Sequence, residues 1–155
     1  VGSLIVAEAQ ATLENVTGSF DDTNDCVLIH SAGPMNLTGL TVTANNITNL
    51  DPVATQPGLA WAYDTLVLQD SYVRVTNSAT SHAHVALAED SLQVINSTLE
   101  AVDFGGRCAA LLKSYAGVVT LMSVTLRAAR GVSACGCVTS GFLSVVDSEI
   151  LVEDV

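Results

Sequence analysis

Hydrophobic and polar residues alternate along this chain in short runs that return at regular intervals. Six ten-residue segments superimpose without gaps: ATLENVTGSF (11–20), MNLTGLTVTA (35–44), LVLQDSYVRV (66–75), LQVINSTLEA (92–101), VTLMSVTLRA (119–128) and LSVVDSEILV (143–152). Each reads apolar, variable, apolar, then a pivot and a second alternating stretch, which is the pattern of two short strands joined by a bend. The third column holds Leu13, Leu37, Leu68, Val94, Leu121 and Val145, and the tenth holds Phe20, Ala44, Val75, Ala101, Ala128 and Val152. These columns recur after 24, 31, 26, 27 and 24 residues. A third short apolar stretch precedes each pair: LIV (4–6), CVLIH (26–30), LAWAY (59–63), HAHVA (82–86), CAALL (108–112) and CGCVT (135–139).

The pivot column reads Asn15, Gly39, Asp70, Asn96, Ser123 and Asp147. These residue types tolerate a left-handed or tight-turn backbone and make local side-chain hydrogen bonds. Three strands per repeat of this length predict a parallel β-helix, in which each coil stacks its strands on the coil below. With a strand spacing of about 4.8 Å, six coils make a rod of roughly 29 Å. Column two lies between two inward positions and is polar at Thr12, Asn36, Gln93, Thr120 and Ser144, with Val67 as the exception. Column nine places Arg74, Glu100 and Arg127 on successive coils, an expected outward charge ladder. A β-sandwich has no need of a fixed period with a fixed pivot type, and the Leu and Asn spacing of leucine-rich repeats is missing.

The longest interval falls at NNITNLDPVATQPG (45–58), where Asn, Asp, Gly, Pro52 and Pro57 predict a loop protruding from the rod. Otherwise residues 1–155 are expected to form one solenoid segment. Both ends of the sequence resemble the inside of a repeat, so the segment is expected to be mature, excised or part of a longer chain, or to assemble with other copies.

Composition narrows the function. The chain has 155 residues, of which 49% are hydrophobic, 14% charged and only 5% aromatic, with a formal net charge of -11. Five basic residues against sixteen acidic ones supply no cationic footprint for nucleic acid or an anionic membrane surface. No apolar run approaches the roughly 18 residues of a membrane-spanning helix.

Four N-glycosylation sequons occur, at Asn15, Asn36, Asn46 and Asn96. Asn15 and Asn96 fall on the pivot, Asn36 on an outward column and Asn46 in the excursion, so each is expected to be accessible. Cys108 and Cys135 open the first strands of adjacent coils and are candidate disulfide partners, with a stack of buried thiols as the alternative. Cys26 lies too many coils away to reach them, and the Cys135-Gly-Cys137 spacing is not that of a redox or zinc motif. His82 and His84 share a strand face without a third histidine, and the acidic turn DDTND (21–25) lacks the spacing of a dedicated calcium loop. No catalytic set, metal site or cofactor is therefore expected. Asp70 and Asp147 share a column three coils apart, an arrangement of turns rather than of an acid/base pair. Thr17, Thr41, Thr98 and Thr125 share another column, which Tyr72 and Glu149 interrupt, so a flat ice-binding threonine array is not achieved.

The period, the Asn/Asp/Gly pivots and the Val/Leu/Ala-rich strands resemble the pectin-lyase-like, single-stranded β-helix superfamily. That resemblance implies an all-β, right-handed parallel β-helix (β-solenoid) of about six coils. The superfamily's enzyme signatures map onto no positions here. The phrases SLQVINSTLEA and FLSVVDSEILV are similar in texture to the dispersed gene family of trypanosome surface glycoproteins, which implies a secreted or cell-surface location and an adhesive role. The expected function is a non-enzymatic extracellular structural or adhesive segment, with copies of itself and host or matrix glycans or proteins as partners. The alternative is a β-helix that binds or processes carbohydrate.

Overall fold

In the computed structural model, each ten-residue segment forms its two strands and the preceding stretch supplies the third. The structure describes residues 2–22, 26–46, 58–79, 84–105, 110–130 and 138–153. The first coil runs through β1 (Gly2–Ala7), β2 (Ala11–Glu14) and β3 (Thr17–Asp21), and the second through β4 (Cys26–Ser31), β5 (Met35–Thr38) and β6 (Thr41–Asn45). The third holds β7 (Gly58–Ala62), β8 (Leu66–Gln69) and β9 (Tyr72–Ala79), and the fourth β10 (His84–Ala88), β11 (Leu92–Ile95) and β12 (Thr98–Gly105). The fifth comprises β13 (Ala110–Ser114), β14 (Val118–Met122) and β15 (Thr125–Ala129), and the last β16 (Val138–Thr139), β17 (Phe142–Val146) and β18 (Glu149–Glu153).

Every third strand pairs in parallel, giving three six-stranded sheets: A from β1 to β16, B from β2 to β17 and C from β3 to β18. The chain is thus an all-β parallel solenoid. The expected count of about six coils is refined by packing: four coils are covered on both sides, while the first and last each have one face at a sheet edge. The register reproduces the columns read from sequence, with Leu13, Leu37, Leu68, Val94, Leu121 and Val145 in one line across sheet B.

The pivot explains how short strands bend without losing hydrogen bonds. All six pivots have positive φ, from 46° at Asn96 to 66° at Gly39. This left-handed step turns the chain from sheet B into sheet C in two residues. The pivot N–H donates to the coil above, as from Asn96 to the Met122 carbonyl at 2.9 Å and from Ser123 to the Val146 carbonyl at 3.0 Å. Just past the bend the direction reverses: Thr98 N–H in the upper coil donates to the Ser71 carbonyl below at 2.8 Å. The residue after the pivot points inward, and where it is serine it relays the bond. Ser97 Oγ accepts from Ser71 N–H at 3.0 Å and donates to the Ile95 carbonyl at 2.7 Å. Ser71 and Ser148 repeat the device above Leu40 and Val124.

A second left-handed column, unread from the sequence, closes sheet C: Asp22, Asn46, Asn77, Asp103 and Arg130 all have φ between 51° and 56°. Length variation is greatest at the corner that follows it. Two residues separate the strands at each bend from B to C and two or three at each bend from A to B, whereas four to twelve lie between C and A. The expected loop at 45–58 belongs to that corner. Its ends, Asn45, Asn46 and Gly58, are described, and residues 47–57 lie outside the described set.

The interior is a stack of aliphatic layers. Met35, Leu37, Leu66, Leu92, Leu99, Leu121 and Leu126 are fully buried, each worth about 2 kcal/mol of transfer free energy. Ala44, Ala60, Ala86 and Ala101 fill the narrower positions. At the A-to-B corner two glycines let adjacent coils touch: a Cβ on Gly33 would lie 1.8 Å from the Ala9 carbonyl oxygen, and one on Gly117 would lie 1.7 Å from that of Asp90.

Two stability effects follow. Gly117→Ala forces a Cβ into a backbone oxygen and should cost about 3 kcal/mol, read as a lower urea midpoint. Ser97→Ala keeps the Asn96-x-Thr98 sequon but leaves the Ser71 N–H unpaired in the interior, and should cost about 1–3 kcal/mol in the same assay. An unchanged midpoint for Ser97→Ala would show that the relay carries no stability.

Candidate interaction surface

The outward positions of the coils form three faces, on which the sequon asparagines can be placed. All four sequon asparagines are exposed. Asn15 and Asn96 sit on the left-handed bend and Asn36 projects from the flat outer face of sheet B. Asn46 occupies the second left-handed column, a position the excursion had concealed. Two of the amides reach down to an aspartate in the coil below: Asn96 Nδ2 donates to Asp70 Oδ1 and Asn46 Nδ2 to Asp22 Oδ1, both at 2.6 Å. Asn77 Nδ2 makes a similar bond to Asn45 Oδ1 at 2.9 Å. Thr17 is exposed and Thr38 and Thr98 are half-buried, while Thr48 of the Asn46 sequon lies outside the described residues.

The disulfide candidates Cys108 and Cys135 lie outside the described residues, as do Cys137, His82 and residues 23–25 of the acidic turn. Cys26 and His84 are placed as strand residues only. Among the described residues no three His, Cys, Asp or Glu side chains lie close enough to hold a metal ion. Asp70 and Asp147 stand three coils apart on the pivot column, and no described helix is long and apolar enough to cross a membrane.

The charge ladder on sheet C forms, with a change of partner. Arg74 Nε lies 3.8 Å from Glu100 Oε2. Arg127, although level with Glu100 in the register, turns instead to Glu153 at 3.1 Å. These pairs lie at the surface, where water screens them and leaves little net stabilisation. Tyr72 Oη donates to Glu100 Oε2 at 3.0 Å. Burial, then the bond to Glu100 and the carboxylate's charge, raise the Tyr72 phenol above its ordinary value, against a smaller lowering by Arg74.

The surface feature that sequence reasoning missed is an aromatic cluster on the outer face of sheet A. His30 on β4 lies beside Trp61 on β7, and the rings of His30, Trp61 and Tyr63 pack with centroids 5.1–5.4 Å apart. His30 Nε2 and Trp61 Nε1 are buried there without a hydrogen-bond partner. Two coils further on, Lys113 Nζ sits 4.1 Å from the centre of the Tyr115 ring. His30 and Trp61 are 31 residues apart, so only the inter-coil register could have revealed the cluster.

The outer face of sheet B changes character along the rod. One column reads Glu14, Thr38, Gln69, Ile95, Met122, Val146 from the first coil to the last. Val118, Met122, Phe142 and Val146 are all well exposed there. A shallow cleft of about 570 Å³ lies at the last bend, lined by Ser123, Val124, Thr125, Val145, Asp147, Ser148 and Glu149.

The Tyr72 shift has a definite sign. A phenol whose folded value is raised favours folding fully below the ordinary value of about 10, and that contribution is lost as pH rises through the folded value. Tyr72→Phe should remove a tyrosinate that titrates above the ordinary value from a 295 nm absorbance titration and flatten the loss of thermal stability above pH 10. A curve that still shows the late titration would assign the shift elsewhere.

Neither a family model nor a curated protein nor a solved structure matches the chain.

Proposed function

We propose that the chain is a non-enzymatic extracellular or cell-surface module, a rigid rod that presents an acidic, N-glycosylated surface for adhesion or assembly. The observation that carries this reading is the placement of the sequons. Four acceptor asparagines, none of them needed in the core, stand exposed on the first, second and fourth coils. A scaffold whose backbone is fixed by inter-coil bonds holds such groups at set spacings, so glycans add bulk and hydration without disturbing the fold. The hydrogen bonds from Asn46 and Asn96 to aspartates use one amide proton, and a glycosylated amide retains one. The net charge of -11 keeps such rods apart by repulsion and favours cationic or neutral partners.

A second reading, carbohydrate binding, is favoured by the Trp61, Tyr63 and His30 cluster, because aromatic faces stack on sugar rings. Trp61 is the sole tryptophan, so its fluorescence reports this directly. Titration with neutral and acidic oligosaccharides would shift or quench the emission if sugars bind at sheet A.

The leading reading is tested by intact mass after expression through a eukaryotic secretory pathway. At least two of Asn15, Asn36, Asn46 and Asn96 should carry glycan that an N-glycan amidase removes, and Asn→Gln at all four should abolish the added mass. Secreted material with the unmodified mass would overturn it.

A further inference from the structure

We infer that the side of the rod along sheet A carries an axial track for an extended, neutral β-1,4-linked hexose chain, with alternate sugar rings stacked on Tyr63 and Tyr115; this rests on the carbohydrate-binding reading above and names its ligand class and direction. The N–H groups of Tyr63, Glu89 and Tyr115 donate to the carbonyls of Ser31, Ala62 and Ala88 at 3.0, 3.0 and 3.2 Å. Equivalent bonds on three successive coils put these residues in one column, just past the ends of β7, β10 and β13. Each of those strands pairs on both edges, so the column belongs to the side of the rod. Tyr63 is 50% and Tyr115 43% exposed, and Glu89 between them is half-buried. Both rings are held in place by their neighbours: Tyr63 by Trp61 and His30, with centroids 5.1 and 5.4 Å away, and Tyr115 by Lys113 Nζ over one of its faces at 4.1 Å. Platforms ordered in advance lose little freedom when a ligand settles on them.

The spacing selects the ligand. Two coils separate the tyrosines, about 9.6 Å along the axis. In an extended β-1,4-linked hexose chain each ring advances by close to one coil spacing and alternate rings present the same face. A first and a third ring therefore fall on Tyr63 and Tyr115, where their C–H faces meet aromatic ones. The ring between them lies over Glu89, whose carboxylate accepts hydrogen bonds from sugar hydroxyls. An α-1,4-linked chain coils and cannot lay alternate rings along a straight column. Charge selects as well, because Glu89 and the net charge of -11 repel a polyanion and leave a neutral chain unopposed. The protein's own glycan acceptors stand elsewhere: Asn15 and Asn96 at the bend from sheet B to sheet C, Asn36 in β5 of sheet B and Asn46 just past β6 of sheet C. Sheet A carries none of them, so the track stays open on a glycosylated rod.

The test titrates the full 155-residue chain with defined sugars, reading Trp61 emission and, independently, calorimetric heat. Cellohexaose should bind about tenfold more tightly than cellobiose, because a disaccharide cannot span both tyrosines. Tyr115→Ala should remove that gain and leave the cellobiose affinity within about twofold, whereas Tyr115→Phe, which keeps the ring, should retain it. Maltohexaose, the α-linked counterpart, should bind no better than maltose. Tyr115 is an exposed side chain, so the urea midpoint of Tyr115→Ala should match that of the parent and separate a lost contact from a lost fold. Equal affinity for cellohexaose and cellobiose, a length gain that survives Tyr115→Ala, or the same gain with the α-linked pair overturns the track and leaves sugar binding at sheet A standing. No response to any of these sugars overturns both.

Discussion

One backbone conformation governs this molecule: a single left-handed residue, repeated once per coil, between sheets B and C. A parallel strand pair needs its next strand at a fixed height and direction, and a bend of only two residues achieves this when one of them has positive φ. The inter-coil bonds then reverse direction across the bend rather than lapse, as the N–H groups of Asn96 and Thr98 on either side of one bend illustrate. Column register, inward alternation and the serine relays all presuppose that step. A pivot displaced by one residue would turn the next strand over and send its Leu and Val side chains into water.

The same constraint shapes the interior. Coils stacked at the strand spacing leave each layer only as thick as one residue, so the core is filled by Leu, Val and Ala rather than by aromatic side chains. Of the aromatics whose side chains are described, Trp61, Tyr63 and Tyr115 stand outside at sheet A, Tyr72 lies on sheet C and Phe142 on sheet B, while Phe20 is half-buried in the first coil. Glycine is needed where a carbonyl of the coil below closes on the chain, at Gly33 and Gly117. Freedom of length is greatest at one corner. The segments from sheet C to sheet A absorb most of the differences in repeat length, because the bend from B to C is held at two residues by the pivot, while the bend from A to B changes by a residue only in the last two coils.

Legibility in the sequence followed these physics. The pivot column was readable because Asn, Asp, Gly and Ser recur at one position, and all six prove left-handed. The second left-handed column was not, because it ends in Arg130, a residue type that does not announce positive φ, and because the variable corner that follows disrupts the spacing. Alternation marked the inward residues of sheets B and C but failed for sheet A, where Leu59 and Ala60, and likewise Leu111 and Leu112, are buried in succession. The charge ladder was read correctly as a column but not as a set of pairs, since side-chain reach let Arg127 choose Glu153 over its register neighbour.

The change along sheet B links these local rules to the surface. Inward columns must stay aliphatic in every coil, whereas outward columns are free, and here that freedom is used unevenly. Glu14, Thr38 and Gln69 give way to Ile95, Met122 and Val146 on a single line, and the sequons stop at the fourth coil. The early coils thus carry a carboxylate, a hydroxyl and an amide on that line, and the later ones apolar side chains, without any change in the layers beneath. The stacking of coil on coil must still be specified, because a slipped strand would pair along the backbone equally well. Specificity cannot come from the aliphatic columns, which are alike in all coils. It must come from the polar positions at the bend, where an asparagine amide can bond an aspartate below and a second aspartate would repel it.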